Sequence, residues 1–293
     1  LFIVKMIKNR GHRLSTLFKF ILALISILAI VWNGYCWLWN SGYYTDGFGD
    51  KSGLETDGIS YDDLYTATEF FAQKLNELSG SVSRDENGVT NISPDKYWGE
   101  WDSLYDKIDE EFTFIQGQTL GPKAVHFSKI MSMTGFTGIF FPFSGETYIN
   151  VHQPSAFIPN TIAHEIAHQR GVHLEAECNF LGIAVCIQSD NPAYAYSGYL
   201  SGYIHLSNAL YSVDPDGWRE IRASLNSEVS ADLNYNNAYW QEMEGVVSKA
   251  TDTVYDAFLK VNTQEMGIKS YGQCVDLLVS WLNKSEFSPY VSA

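Results

Sequence analysis

Residues 161–180, TIAHEIAHQRGVHLEAECNF, gather the side chains best suited to chemistry. His164 and His168 are four apart, so on a helix both imidazoles share one face and can reach one ion. Glu165 projects about 100° round from His164. That keeps it off the metal and lets it meet an activated water. Zinc in such a site lowers the pKa of water and polarises a carbonyl, while a glutamate takes the proton and returns it to a leaving amine. Ile166 and Ala167 between them are apolar, as a buried ligand helix requires. The plain alternative is a helix carrying two surface histidines, and the core-like flanks argue against it.

Zinc needs a third protein ligand. Gly171 predicts a left-handed helix stop that turns the chain back. Beyond it stand His173, Glu175 and Glu177. A pattern HExxHxxGxxH would put a histidine at position 174, which is Leu174; His173 is one residue short. LEAECNFLGIAVCI predicts a second helix, apolar almost all round and therefore buried. A buried carboxylate there needs a partner or a metal. Glu175 and Glu177, two apart, point to different sides. Glu175 shares its side with Asn179, Gly182 and Cys186, and Glu177 with Leu181 and Ala184. Glu175 is the expected third ligand and Glu177 the alternative. Asn179 is expected to accept a hydrogen bond from a ligand histidine and fix its tautomer.

These helices need a scaffold. Ser60 is expected to cap a helix with Leu64, Phe71, Leu75 and Leu78 inward. An Asn87-Gly88 turn follows, and Ser93-Pro94 is expected to open a second helix reaching Phe112. KAVHFSKIMSM, GIFFPF and ETYINV read as a small sheet with a hairpin turn at Ser144-Gly145. Pro142 cannot donate to a ladder, which puts its strand at an edge. Helices are predicted at about 158–170, 174–188, 192–211, 216–229, 236–263 and 270–284. The fold class is α+β, mostly helical, with the sheet beside the HExxH helix.

The net charge of -15 is unevenly spread. Residues 1–40 hold Lys5, Lys8, Arg10, Arg13 and Lys19 and no acid, leaving 14 basic and 34 acidic residues, a net of -20, in the remainder. That body excludes nucleic acid as an expected partner, because phosphate binding needs clustered cations. Phe20 to Trp39 is a run of 20 uncharged residues, about 30 Å as a helix and enough to span a bilayer. Trp32, Tyr35, Trp37 and Trp39 form an aromatic belt at its far end. The organisation expected is a cytoplasmic basic segment (1–16), a transmembrane anchor (17–39), a linker (40–59) and an extracytoplasmic domain (60–285). A cleaved signal peptide is the rival, disfavoured by bulky aromatics where small residues are needed. A start at Leu1 rather than Met leads to the expectation of a fragment or of a misassigned start. Cys274 is positioned in sequence to pair with Cys178 or Cys186, the alternative being buried free thiols.

His164-Glu165-x-x-His168 followed by Glu175-Ala-Glu-Cys178-Asn179 resembles the gluzincin metallopeptidases. That resemblance implies a zincin-like domain with Glu175 as zinc ligand and Asn179 in support. Asn replaces the commoner Asp, and the spacer after His168 is short. FFPFSGETYINVHQP (140–154), IAHEIAHQRG (162–171), EAECNF (175–180), SDNPAYAYSGYL (189–200) and SYGQCVDLL (270–278) also resemble an uncharacterised family of bacterial membrane-anchored proteins with zinc-peptidase features. The resemblance implies that an edge strand, GIFFPF or ETYINV, pairs with a substrate backbone, the alternative being an ordinary core hairpin. Tyr194, Tyr196, Tyr199, Tyr203 and His205 are candidates for stabilising an oxyanion, with packing as the expected role of any one of them. Gly198 and Gly202 suit close helix packing, and Arg170 a nearby acid or the helix end.

The expected function is a membrane-anchored zinc metallopeptidase: Zn2+ on His164, His168 and Glu175, Glu165 as general base, and a peptide substrate. The alternatives are a non-catalytic zinc-binding receptor or scaffold, and a zinc amidase acting on cell-wall material.

Overall fold

The computed structural model describes residues 13–41, 48–54, 59–245, 271–285 and 287. The chain forms two compact units, Leu1–Gly47 and Phe48–Ala293. The first contains helix α1 (Arg13–Ser41). Its stretch Ser15–Gly34 is 20 residues long and apolar enough to cross a membrane, as a span or a signal sequence would be. None of its most apolar stretch is buried, whereas the core helix of a soluble protein would be mostly covered.

The second unit begins inside the stretch expected to be a linker. Phe48 on the short helix α2 (Phe48–Ser52) is buried, its ring 5.1 Å from Phe112 and 5.7 Å from Phe180. Helix α3 (Tyr61–Leu78) starts at Ser60, whose side chain accepts from the Asp63 N–H; such a cap is worth about 1 kcal/mol. Leu64, Phe71 and Leu75 are buried as expected.

The continuous helix expected from Ser93 to Phe112 does not form. A single turn at Pro94–Lys96 is followed by α4 (Asp106–Glu111). Side chains from another helix take the carbonyls that would propagate it: Asn191 Nδ2 donates to Lys96 O at 2.7 Å and Tyr194 OH to Tyr97 O at 2.6 Å. Tyr105, Ile108 and Phe112 nevertheless face the core.

The sheet has strands β1 (Lys123–Ala124), β2 (Gly138–Phe141) and β3 (Glu146–Ile149), in the order β1-β3-β2. β1 runs parallel to β3, and β2 antiparallel, with Gly138 opposite Ile149 and Phe141 opposite Glu146. Most of KAVHFSKIMSM is not a strand. Ser128 donates to the Val125 carbonyl and accepts from the Val151 N–H, turning the chain into the short helix α5 (Ser128–Met133). β2 is an edge strand, as Pro142 predicts, although Pro142 itself lies beyond its end.

Among the described residues the remaining helices are α6 (Ile158–Gln169), α7 (Glu175–Ile187), α8 (Pro192–Val213), α9 (Pro215–Ser224), α10 (Ser227–Met243) and α11 (Tyr271–Lys284). The helix expected over 216–229 stops at Ser224, because Asn226 caps α10 by accepting from the Val229 N–H. Of the helix expected over 236–263, the part to Met243 belongs to α10 and residues 246–263 lie outside the described residues. α7 packs between α6 and α8, and α6 lies against β2 and β3. A Cβ on Gly198 would stand 2.5 Å from Cys186 Cβ, and one on Gly202 2.3 Å from the Phe71 ring, so this pair closes helices inside the fold. Cys178, Cys186 and Cys274 are buried free thiols, which removes the disulfide option for Cys274.

Candidate metal centre

α6 carries His164 and His168 on one face, and the turn after it brings α7 back alongside. Gly171 makes that turn with φ 86°, a conformation that side chains with a Cβ rarely adopt. Gly182 lets the two helices close: a Cβ there would lie 3.2 Å from the His164 backbone nitrogen. The first turn of α7 then sets Glu175 against both imidazoles. His164 Nε2 is 3.2 Å from Glu175 Oε2, and His168 Nε2 is 3.7 Å from Oε1. One donor atom from each of the three residues lies within 4.8 Å of the others. Tetrahedral ligands about 2.0–2.1 Å from a zinc ion stand roughly 3.3–3.5 Å apart, so the donor set fits that ion. Burial alone would raise the Glu175 pKa, but the two histidines outweigh it and hold the carboxyl well below its ordinary range.

Glu177 is turned away from this cluster. It is 1% exposed, and its Oε1 accepts from the Gly49 N–H of α2 at 3.4 Å. The structure thus groups Glu175 rather than Glu177 with the histidines. Asn179 is half-buried one turn along α7, and among the described residues no hydrogen bond joins it to either histidine. His168 is fixed by another group: Nδ1 lies 2.9 Å from the Val172 carbonyl oxygen. A carbonyl can only accept, so Nδ1 carries the proton and a neutral His168 presents a lone pair at Nε2. The Cys178 sulfur touches the same Nδ1 at 3.3 Å and the same carbonyl at 3.4 Å.

Glu165 occupies a separate niche at the edge of the sheet. It is 4% exposed, and burial, the largest influence, raises its pKa. The two histidines and the Phe140 backbone N–H favour its charged form, while Glu175 opposes it. Its Oε2 has no hydrogen-bond partner. A Cβ on Gly138 would lie 2.3 Å from Glu165 Oε1, so the niche exists because β2 begins with glycine. The Phe140 ring stacks against His168 with centroids 6.3 Å apart and planes at 17°.

The tyrosines of α8 serve the core. Tyr194 bonds the Tyr97 carbonyl, Tyr196 bonds Asp232 and Arg84, and Tyr199 packs its ring on Phe71 at 5.0 Å. Tyr203 is buried, its hydroxyl near Ser207 and Arg222. His205 differs, because its burial and the nearby His164 push its pKa down to about 4. Arg170 pairs with Asp109, donates to Thr119 Oγ1 at 3.1 Å and lies over the Tyr105 ring at 4.3 Å. His173, half-buried beside His168, is pushed down to about 3, chiefly by burial.

Gly138, Phe140, Val172 and Cys178 are the parts of the site that sequence reasoning missed. Only the glycine opening GIFFPF offered a signal. A backbone carbonyl such as that of Val172 has none.

The chain belongs to the family described as "Protein of unknown function (DUF3810)", whose model matches residues 1–279. No curated protein and no solved structure matches it.

Proposed function

We propose that this protein is a zinc-dependent peptidase held at a membrane by α1, with its second unit outside the cytoplasm. The observation that carries the reading is the convergence of His164 Nε2 and His168 Nε2 on the Glu175 carboxylate, with Glu165 on the same helix held apart in its own niche. Zinc held by those three residues would supply Lewis acidity, acidifying water and polarising a carbonyl.

The chain's own groups divide the remaining work. The Val172 carbonyl keeps the proton of His168 on Nδ1, leaving Nε2 to bind. The Phe140 N–H orients the Glu165 carboxylate, and the unpartnered Oε2 is free to take a proton from water. Burial makes that carboxylate a stronger base than an exposed one. The protonated Glu165 then returns the proton to the departing amine. A purely structural zinc site has no use for such an acid, which favours hydrolysis over a scaffold role. The edge position of β2 supports a peptide substrate, since an extended backbone can add to that edge beside Glu165. Five basic residues before or at the start of the apolar run, with none of the acids there, support the orientation.

Metal analysis of the purified chain, coupled to digestion of a peptide library, tests the reading. We expect about one zinc per chain and cleavage by the wild type. Glu165→Gln should keep the metal and lose cleavage. A folded chain that takes up no zinc would sink the proposal. Cleavage of peptidoglycan fragments but not of peptides would move the substrate to cell-wall amides.

A further inference from the structure

The acidic body of this protein has one stretch of sequence almost without acids. From Thr113 to Ala163 the sequence holds Lys123, Lys129 and a single acid, Glu146. Lys123 bonds that carboxylate, and so does the Tyr148 hydroxyl. Most of the exposed large apolar side chains described in the second unit fall in the same stretch.

They are densest on α5. Ser128, Met131 and Ser132 are its buried side, so Phe127 (69% exposed), Ile130 (61%) and Met133 (44%) form an apolar stripe on the outside. An outward apolar stripe on a short helix inverts the usual pattern of a surface helix. Beside it an open surface depression of about 380 Å³ is lined by Val125, His126, Phe127, Lys129, Val151 and His152, among others, and has no acid in its wall. The Ser132 and Tyr239 hydroxyls hold His152 Nδ1 from below, at 3.5 and 2.7 Å. Apolar side chains beside Lys129 are what an anionic lipid interface meets favourably: rings and aliphatic chains enter the acyl boundary while the cation stays at the phosphates.

We propose that α5 and the depression beside it dock the second unit on an anionic lipid surface, the depression receiving a headgroup phosphate. Charge selects the face. A body of net charge -20 is repelled least by an anionic bilayer where acids are sparse, and along this stretch Glu146 is paired with Lys123 while Glu242 of α10 is the acid that acts on Tyr239. The chain also carries a helix long and apolar enough to be membrane-inserted, so a bilayer is the surface this domain would meet. The inference is independent of the metal centre, because none of these residues belongs to it.

Hydrogen exchange of the full chain tests it, with the protein reconstituted in nanodiscs of phosphatidylcholine alone or with phosphatidylglycerol. Amides of residues 126–133 should exchange more slowly in the phosphatidylglycerol discs than in detergent. The protection should weaken at about 1 M salt, where the Debye length falls to about 3 Å. Phe127→Glu with Ile130→Glu should abolish it while exchange in α6 stays unchanged, which separates lost docking from lost folding. Lys129→Gln should reduce it about fivefold, the equivalent of one cation near an anionic surface. Equal exchange in both discs and in detergent would overturn the proposal. So would protection that rises with protein concentration in detergent, because a second copy would then be the occupant.

Discussion

Gly138 and Glu165 are fitted to each other: a Cβ added to the glycine would stand 2.3 Å from Oε1 of the glutamate and 2.6 Å from its Cγ. Glu165 is buried and β2 is anchored on β3, so neither side can yield freely. Gly138→Ala should displace the carboxylate without touching His164, His168 or Glu175. We expect zinc content to be retained and turnover to fall roughly 100-fold, the scale of an ångström misplacement of a catalytic group. Metal analysis beside steady-state kinetics checks this; unchanged turnover would remove Glu165 from the reaction.

The two glutamates of α7 should separate cleanly. Glu175→Ala removes the group on which both imidazoles converge and should abolish stable zinc retention. Glu177→Ala should keep the metal and instead lower stability by about 1 kcal/mol, since it withdraws an acceptor from the part-buried Gly49 N–H. Zinc content after dialysis and the midpoint of chemical unfolding distinguish the two. Metal loss in Glu177→Ala alone would reverse the assignment.

Local chemistry made much of this legible in the sequence. The spacing of His164, Glu165 and His168 and the contrast between the two sides of α7 pointed to the three residues that the fold brings together. Gly171 marked the turn between the helices, and Pro142 the edge strand. The failures have a common cause in tertiary competition for backbone groups. Asn191 and Tyr194 take the carbonyls a helix over 93–112 would have used, and Ser128 ends a strand by bonding Val125 and Val151. The support given to His168 by the Val172 carbonyl was invisible because a backbone carbonyl carries no side-chain signal, and among the described residues no hydrogen bond joins Asn179, expected in that role, to either histidine.

Cys178, Cys186 and Cys274 are fully buried, and burial pushes the Cys178 thiol up to about 12 and the other two higher still. Thiolate is the reactive form, so the native protein should leave all three unlabelled by an alkylating reagent at pH 8. Unfolding in guanidinium should expose them together. Mass mapping of the labelled peptides checks this, and rapid labelling of Cys178 in the folded chain would contradict the packing of His168 against it.

Zinc uptake should be proton-linked through His168. Burial works against charge on this imidazole, while the Glu175 carboxylate favours the imidazolium and raises its pKa; Cys178 adds to that pull only as a thiolate, above about pH 12. The raised pKa of His168 makes a proton compete with the metal, because an ion can bind Nε2 only when that nitrogen is bare. The sign follows: affinity falls as pH drops through the raised His168 pKa and levels off above it. His173 and His205, pushed down to about 3 and about 4, stay neutral across this range and contribute nothing to the slope. Calorimetric titration with zinc in buffers of different ionisation enthalpy should register proton release that fades as the pH rises through the raised His168 pKa. Release that fades in this way would assign the proton to His168. Release unchanged across that range would place it elsewhere.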